Sequence, residues 1–88
     1  DMPVVMLSQN VPNPFAESTT ISYNITPNVQ KAQIQFYNQH GILIESLDIT
    51  ERGKGSVKVF ASDLSAGTYT YTLVTDGKVA TSKKMVKQ

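Results

Sequence analysis

Turn-forming residues recur about every 8–12 positions along this chain, and this spacing constrains the fold more than any other feature. The runs between the turns are rich in Val, Ile, Thr, Tyr and Phe, and no stretch has helical periodicity. Such spacing is typical of a β-sandwich or a barrel. The sequence predicts seven strands, which cover residues 4–7, 19–25, 31–38, 42–49, 56–61, 68–75 and a last strand from 78 onwards.

Alternating apolar residues indicate which face of each strand points into the core. The predicted inward residues are Ile21, Tyr23 and Ile25; Ala32, Ile34 and Phe36; Val57, Val59 and Ala61; and Tyr69, Tyr71 and Leu73. Two prolines exclude a central strand between the first two strands, and Phe15 is predicted to plug this loop onto the core. A turn over Arg52–Gly55 is predicted to precede the fifth strand.

A corner motif lies between the fifth and sixth strands. Leu64 is predicted to point inward, and Gly67 and Tyr69 follow it in a Leu-x-x-Gly-x-Tyr pattern. The pattern is similar to the corner of immunoglobulin-like sandwiches, in which a tyrosine hydroxyl binds nearby backbone. The sequence therefore predicts an all-β fold, an immunoglobulin-like β-sandwich of about seven antiparallel strands.

The fourth strand changes the face on which its apolar residues lie. Ile42 and Ile44 share one parity, whereas Leu47 and Ile49 share the other. A β-bulge near 45–46 would reconcile the two sets; alternatively, the strand is apolar on both faces at one end.

The register of the last strand stays open. Asp76-Gly77 is a strong type I′ hairpin signal, which places Thr75 opposite Lys78. The same register pairs Leu73 with Ala80, Tyr71 with Ser82 and Tyr69 with Lys84. The inward residues of the last strand are then Ala80, Ser82, Lys84 and Val86, whereas Val79 and Met85 point outward. A bulge near 83–84 would instead bring Met85 in. In both cases we expect the strand at a sheet margin, with its lysines open to a partner.

Composition excludes several classes of function. The 88 residues include no cysteine, so neither a disulfide framework nor a thiolate metal site can form. The net charge of +1 is too small for a globally basic nucleic-acid binder, and no apolar run reaches about 18 residues. We expect one domain over 1–88, with 1–6 as a candidate linker remnant. The chain opens with Asp1 and shows no signal peptide, so we interpret it as a piece of a longer protein or as a chain matured by cleavage.

Patterns of catalytic and metal-binding residues do not occur. The single histidine, His40, falls in a turn and is interpreted as solvated. The acidic residues are scattered without Asp-x-Asp spacing. Glu45 and Asp48 point to opposite faces of a strand unless a bulge intervenes, which does not suit a paired-carboxylate site. We predict no enzyme activity, no metal and no cofactor.

Three segments, in a fixed order, together carry a family likeness. They are 7–15 (Leu-Ser-Gln-Asn-Val-Pro-Asn-Pro-Phe), 64–69 (Leu-Ser-Ala-Gly-Thr-Tyr) and 83–87 (Lys-Lys-Met-Val-Lys). The chain resembles the C-terminal sorting domain of the type IX secretion system, which is found on exported proteins of Bacteroidota. The likeness runs from Leu7 to the end of the chain, where Gln88 replaces the more usual final lysine.

The resemblance implies a non-catalytic secretion and cell-surface sorting signal. Such a domain follows an N-terminal cargo domain, crosses the periplasm and is recognised by the type IX translocon. A sortase-like peptidase then removes it at the cell surface. Neither nucleic-acid binding nor direct membrane insertion is expected. The alternative is a structural, adhesive or carbohydrate-binding sandwich module of a surface protein.

The residues assigned to recognition lie in the corner and in the tail: Gly67, Tyr69, Lys83, Lys84, Met85, Val86 and Lys87. Each also has a structural interpretation. Lysines on an edge strand discourage aggregation, the glycine permits the corner, and the tyrosine fills the core and could tie down Lys84 by a cation–π contact. A guarded edge can still accept a specific partner by strand addition. Deletion of 85–88 is expected to abolish delivery and leave the fold largely intact.

Overall fold

The computed structural model describes residues 5–60, 62 and 64–88, and this part of the chain forms seven strands. Their bounds are β1 Met6–Leu7, β2 Ser18–Ile25, β3 Ala32–Tyr37, β4 Leu43–Ile49, β5 Gly53–Phe60, β6 Gly67–Thr75 and β7 Lys78–Lys87. They build a three-stranded sheet, β1-β2-β5, and a four-stranded sheet, β4-β3-β6-β7, in which all neighbours are antiparallel. The predicted all-β sandwich of seven antiparallel strands is confirmed.

The two sheets pack through the faces that the alternation predicts. The predicted inward residues of β2, β3 and β6 are all buried, and so is Val59 of β5. Val57 and Leu64 are partly buried against this core. Phe15 is 1% exposed, which confirms its predicted role as a plug. The predicted strand residue Val4 and the predicted core residue Ala61 lie outside the described residues.

The predicted tyrosine corner is present at the start of β6. The Tyr69 hydroxyl donates to the Ser65 carbonyl oxygen at 2.6 Å, four residues back along the chain. Gly67 has a φ of 152°, which a residue with a side chain rarely adopts. In the immunoglobulin constant-type sandwich the fourth strand joins the first sheet. Here β4 pairs with β3 instead, so the second sheet has four strands.

β5 begins at Gly53, and the turn predicted over Arg52–Gly55 is therefore wrong. Gly55 is a strand residue that pairs with Tyr23 of β2. A Cβ atom added at Gly55 would lie 2.6 Å from the Tyr23 hydroxyl oxygen. The glycine makes room for the aromatic ring that lies across it, so its role is close packing and not chain reversal.

A single arginine holds the connection between β4 and β5. The Arg52 guanidinium donates to four carbonyl oxygens, those of Val29, Gln30, Ile49 and Glu51, at 2.8–3.1 Å. These carbonyls belong to the β2–β3 loop, to the last residue of β4 and to the β4–β5 connection itself. Arg52 therefore ties the two loops together at one end of the sandwich.

The predicted bulge in β4 is present, at Ile44. Phe36 pairs with Glu45, but its neighbour Tyr37 pairs with Leu43, so Ile44 is the extra residue. The bulge lies one position before the predicted 45–46. The bulge residue Ile44 is 42% exposed, and the apolar side chains Ile42 and Leu43 before it are 59% and 48% exposed. This edge of the sheet is therefore more apolar at its surface than a half-buried strand requires.

The bulge in β7 lies at Ala80 and decides the register that the sequence left open. Thr75 pairs with Lys78 as predicted, but Val74 pairs with Val79 and Leu73 with Thr81. The predicted pairs Leu73–Ala80, Tyr71–Ser82 and Tyr69–Lys84 are wrong, and Ala80, Ser82, Lys84 and Val86 do not point inward. Beyond the bulge the alternation reverses, so Met85 lies opposite Tyr69 and is fully buried. The position predicted for the bulge, 83–84, is also wrong.

Candidate functional site

β7 carries the lysine-bearing tail and forms one edge of the four-stranded sheet, as predicted. Its side chains divide between two faces. Met85 is fully buried on the core-facing side, and Lys83 and Lys87 on that side are partly exposed. Lys84 and Val86 point to the opposite face and are exposed. Met85 therefore anchors the strand, while Lys84 and Val86 are accessible to a partner.

The residues that precede β2 form a strap, which we call the leading segment (8–15). Its first half continues β1 along β2. The Ser8 N–H donates to the Ser22 carbonyl oxygen at 2.8 Å, and Val11 and Thr20 exchange two backbone hydrogen bonds of 2.9 Å. The leading segment is thereby attached to the three-stranded sheet.

The second half of the leading segment lies against the free side of β7. The Phe15 N–H donates to the Val86 carbonyl oxygen, and the Gln88 N–H donates to the Phe15 carbonyl oxygen, both at 2.9 Å. The Val86 N–H donates to Asn13 Oδ1 at 2.8 Å. The end of the tail is therefore flanked by β6 on one side and by the leading segment on the other, and the leading segment joins the margins of the two sheets.

These contacts change the interpretation of the tail as an open edge. The Gln9 side chain donates from Nε2 to the Lys84 carbonyl oxygen, in addition to the contacts at Val86 and Gln88. A partner that added a strand at 84–88 would need these same backbone groups. Strand addition is therefore not available at this part of the folded tail, and the expectation of an open margin is correct only for the part of β7 before Lys84.

A buried polar cluster anchors the leading segment to the core. Asn10 is 1% exposed, and its Nδ2 donates to Thr19 Oγ1 at 3.0 Å. The Tyr71 hydroxyl accepts from the Asn10 N–H at 2.9 Å and donates to the Ser8 carbonyl oxygen at 2.7 Å. Burial raises the pKa of Tyr71, although the hydrogen bond from Asn10 opposes this effect. The sequence identified Tyr71 as a core residue but gave no sign of what its hydroxyl binds.

The other predicted recognition residues occupy different surroundings. Tyr69 is buried, and because Lys84 lies on the opposite face of the sheet, the predicted cation–π contact between them is wrong. Because Met85 is a core side chain, we now expect deletion of 85–88 to cost stability as well as delivery, and this remains a prediction. Recognition through Gly67, Tyr69 and the tail residues stays a prediction.

The described residues offer no arrangement suited to metal chemistry. His40 is exposed in the β3–β4 turn, as predicted, where its backbone N–H donates to Asn38 Oδ1 at 2.9 Å. Within 5–60, 62 and 64–88, no group of three or more His, Cys, Asp or Glu side chains could hold a metal ion. In that same part of the chain, no helix has the length and apolar character needed to cross a membrane.

Comparison with known proteins identifies the family. No curated protein matches the chain. The model of the family described as the secretion system C-terminal sorting domain matches residues 11–88, which include most of the leading segment, the tyrosine corner and all of β7. The chain therefore belongs to the family of C-terminal sorting domains, the non-catalytic signals that direct proteins through the type IX secretion system.

Proposed function

We propose that the type IX machinery recognises the folded domain through the outer face of β7, at Lys84 and Val86. Lys83 and Lys87, on the core-facing side of the same strand, are partly exposed and add to its positive charge. The observation that carries the proposal is that Lys84 and Val86 are exposed on a strand whose backbone is hydrogen-bonded on both sides. A fixed backbone lowers the entropy cost of binding, because only the side chains then have to be ordered when a partner binds.

The charge of the tail indicates the chemistry of its partner. Residues 77–88 contain four lysines and no acidic residue. A receptor surface with carboxylates would attract this segment over several ångströms and orient it on approach. Val86, 36% exposed, adds an apolar contact beside the charges. We infer a receptor surface that combines acidic groups with a shallow apolar contact.

The buried members of the predicted set act indirectly in this proposal. Met85 packs on the core face opposite Tyr69, and Gly67 pairs with Lys87 at the end of the strand. These three residues fix the position of the strand that carries Lys84 and Val86. Their replacement would disturb recognition because the strand would shift, and not because a contact to the receptor would be lost.

The sorting signal belongs to a larger cargo protein and directs it toward the cell surface. We infer that the receptor is the translocon, that the cargo domain is N-terminal, and that a sortase-like peptidase removes the domain after translocation. Met6 of β1 pairs with Asn24 of β2, so the linker that we propose ends before Met6 and is at least one residue shorter than the predicted 1–6. β1 is an edge strand, so a cargo domain joined before it can be attached without separating either sheet.

Surface delivery of a reporter tests the proposal. Residues 1–88 are fused behind a reporter with an export signal and expressed in a host with the type IX system. We expect K84E and V86E to lower surface delivery at least tenfold. The matched control is K54E, which reverses an exposed lysine on β5 of the other sheet and should be delivered normally. Normal delivery of both β7 variants, or equal loss with K54E, would refute the proposal.

The carbohydrate-binding alternative is not favoured. Sugar platforms usually combine several exposed aromatic rings, but the chain has no tryptophan, Tyr23, Tyr69 and Tyr71 are buried, and the exposed ring of Phe60 is a single one in the described residues. The fourth tyrosine, Tyr37, is partly buried, and its hydroxyl donates to Gln35 Oε1 at 2.6 Å.

A further inference from the structure

We propose that Asn13 is a positioning residue of the recognition surface and that the leading segment is a functional part of the signal. This inference rests on the proposed function, because it concerns how Lys84 and Val86 are presented. Asn13 itself is exposed, and its contact to β7 is through its side-chain oxygen. It therefore acts through the backbone of β7.

Val86 is the point at which the leading segment holds the tail. Its N–H donates to Asn13 Oδ1 and its carbonyl oxygen accepts from the Phe15 N–H, so both backbone groups on the side away from β6 are bound. The neighbouring Lys87 pairs with Gly67 of β6. A terminal stretch of an edge strand usually frays, and these bonds from a second segment oppose that fraying.

The strap can hold the tail because it is itself fixed. Phe15 is buried in the core, and Asn10 is bound to Thr19 and to the Tyr71 hydroxyl. The leading segment is therefore fixed on both sides of Asn13: by Asn10 before it, which contacts one strand of each sheet, and by the buried ring of Phe15 after it. Because the leading segment is fixed, it cannot move together with the tail, and the hydrogen bond from Val86 to Asn13 therefore restricts the motion of the tail.

Two consequences for recognition follow. The side chains of Lys84 and Val86 are presented from an ordered backbone, which lowers the entropy cost of binding. The strap also occupies the backbone groups through which an unrelated strand could join the edge. The leading segment thus favours binding of a receptor to the side chains of β7 over binding by addition of a strand to its edge.

The test compares N13A, which removes the acceptor, with N13D, which keeps an oxygen at the same place. For N13A we expect about tenfold faster hydrogen exchange at the Val86 amide, the factor for one net hydrogen bond, and a similar loss of surface delivery. N13D should restore both. If N13A does not fold, Q9A tests the same strap through its contact to the Lys84 carbonyl oxygen.

A matched control separates positioning from general stability. R52K removes hydrogen bonds at the opposite end of the sandwich and should be delivered normally although it is destabilised. Unchanged exchange at Val86 in N13A would overturn the inference, and so would normal delivery of N13A despite faster exchange. If N13A is not delivered but K84E is delivered normally, the positioning role of Asn13 is supported and the assignment of Lys84 to the recognition surface is refuted.

Discussion

The burial of Met85 leads to a prediction that separates stability from recognition. Met85 is the one tail residue that is fully buried, and it packs in the core opposite Tyr69. Replacement of a buried methionine by alanine removes its transfer free energy and leaves a cavity, at a cost of about 2–5 kcal/mol. A domain of this size has about 4–13 kcal/mol in total. M85A should therefore remove a large fraction of the free energy of unfolding.

Urea denaturation followed by far-UV circular dichroism measures this change. We expect the midpoint of M85A to fall while the slope m stays constant, because the surface exposed on unfolding is nearly the same. V86A is the matched control, since the neighbouring side chain faces the solvent and should change stability by less than about 0.5 kcal/mol. Equal stabilities of M85A and V86A would refute the register derived for β7.

Three further predictions concern other parts of the fold. Y71F should reduce the decrease in the free energy of unfolding at alkaline pH. In the wild type, the contribution of the Tyr71 hydroxyl to stability is fully present below its ordinary pKa of 10.0 and is lost as the pH rises through the raised pKa of the folded state. A series of urea titrations at different pH values measures this difference. G55A should cost about 1–3 kcal/mol by thermal denaturation, because the Tyr23 ring must move, whereas S56A on the same strand should be neutral. R52K should cost about 1–3 kcal/mol, because one ammonium cannot bind four carbonyl groups; a loss no larger than that of K54A would contradict this account.

Most of the sandwich could be predicted because its strands alternate regularly. In β2, β3 and β6 the apolar residues recur at every second position, so both the strand and its buried face follow from the pattern. The corner also has a local signature, since Tyr69 binds a carbonyl only four residues away. Such features depend on neighbours in sequence, and a single sequence contains them.

The bulges and the strap depend on contacts that a local pattern does not contain. The β4 bulge is visible in the sequence as a change in the face on which the apolar residues lie, and it was predicted to within one residue. The β7 bulge causes no such change in the sequence, because Ala80, Thr81 and Ser82 are small and fit either face of the strand. Gly55 was interpreted as a turn residue because the sequence does not show the ring of Tyr23 above it. The partner of Asn13 likewise lies in another element.

The hydrogen bond between Asn13 and Val86 joins residues 73 positions apart. Contacts of such long range form late in folding, because the entropy of closing the intervening chain must first be offset by shorter-range pairing. We expect β2 to β6 to assemble before the strap closes on β7. A chain that stops before Lys84 would leave the Phe15 N–H without the Val86 carbonyl oxygen, so we expect that such a chain could not form the ordered edge that carries the proposed recognition surface.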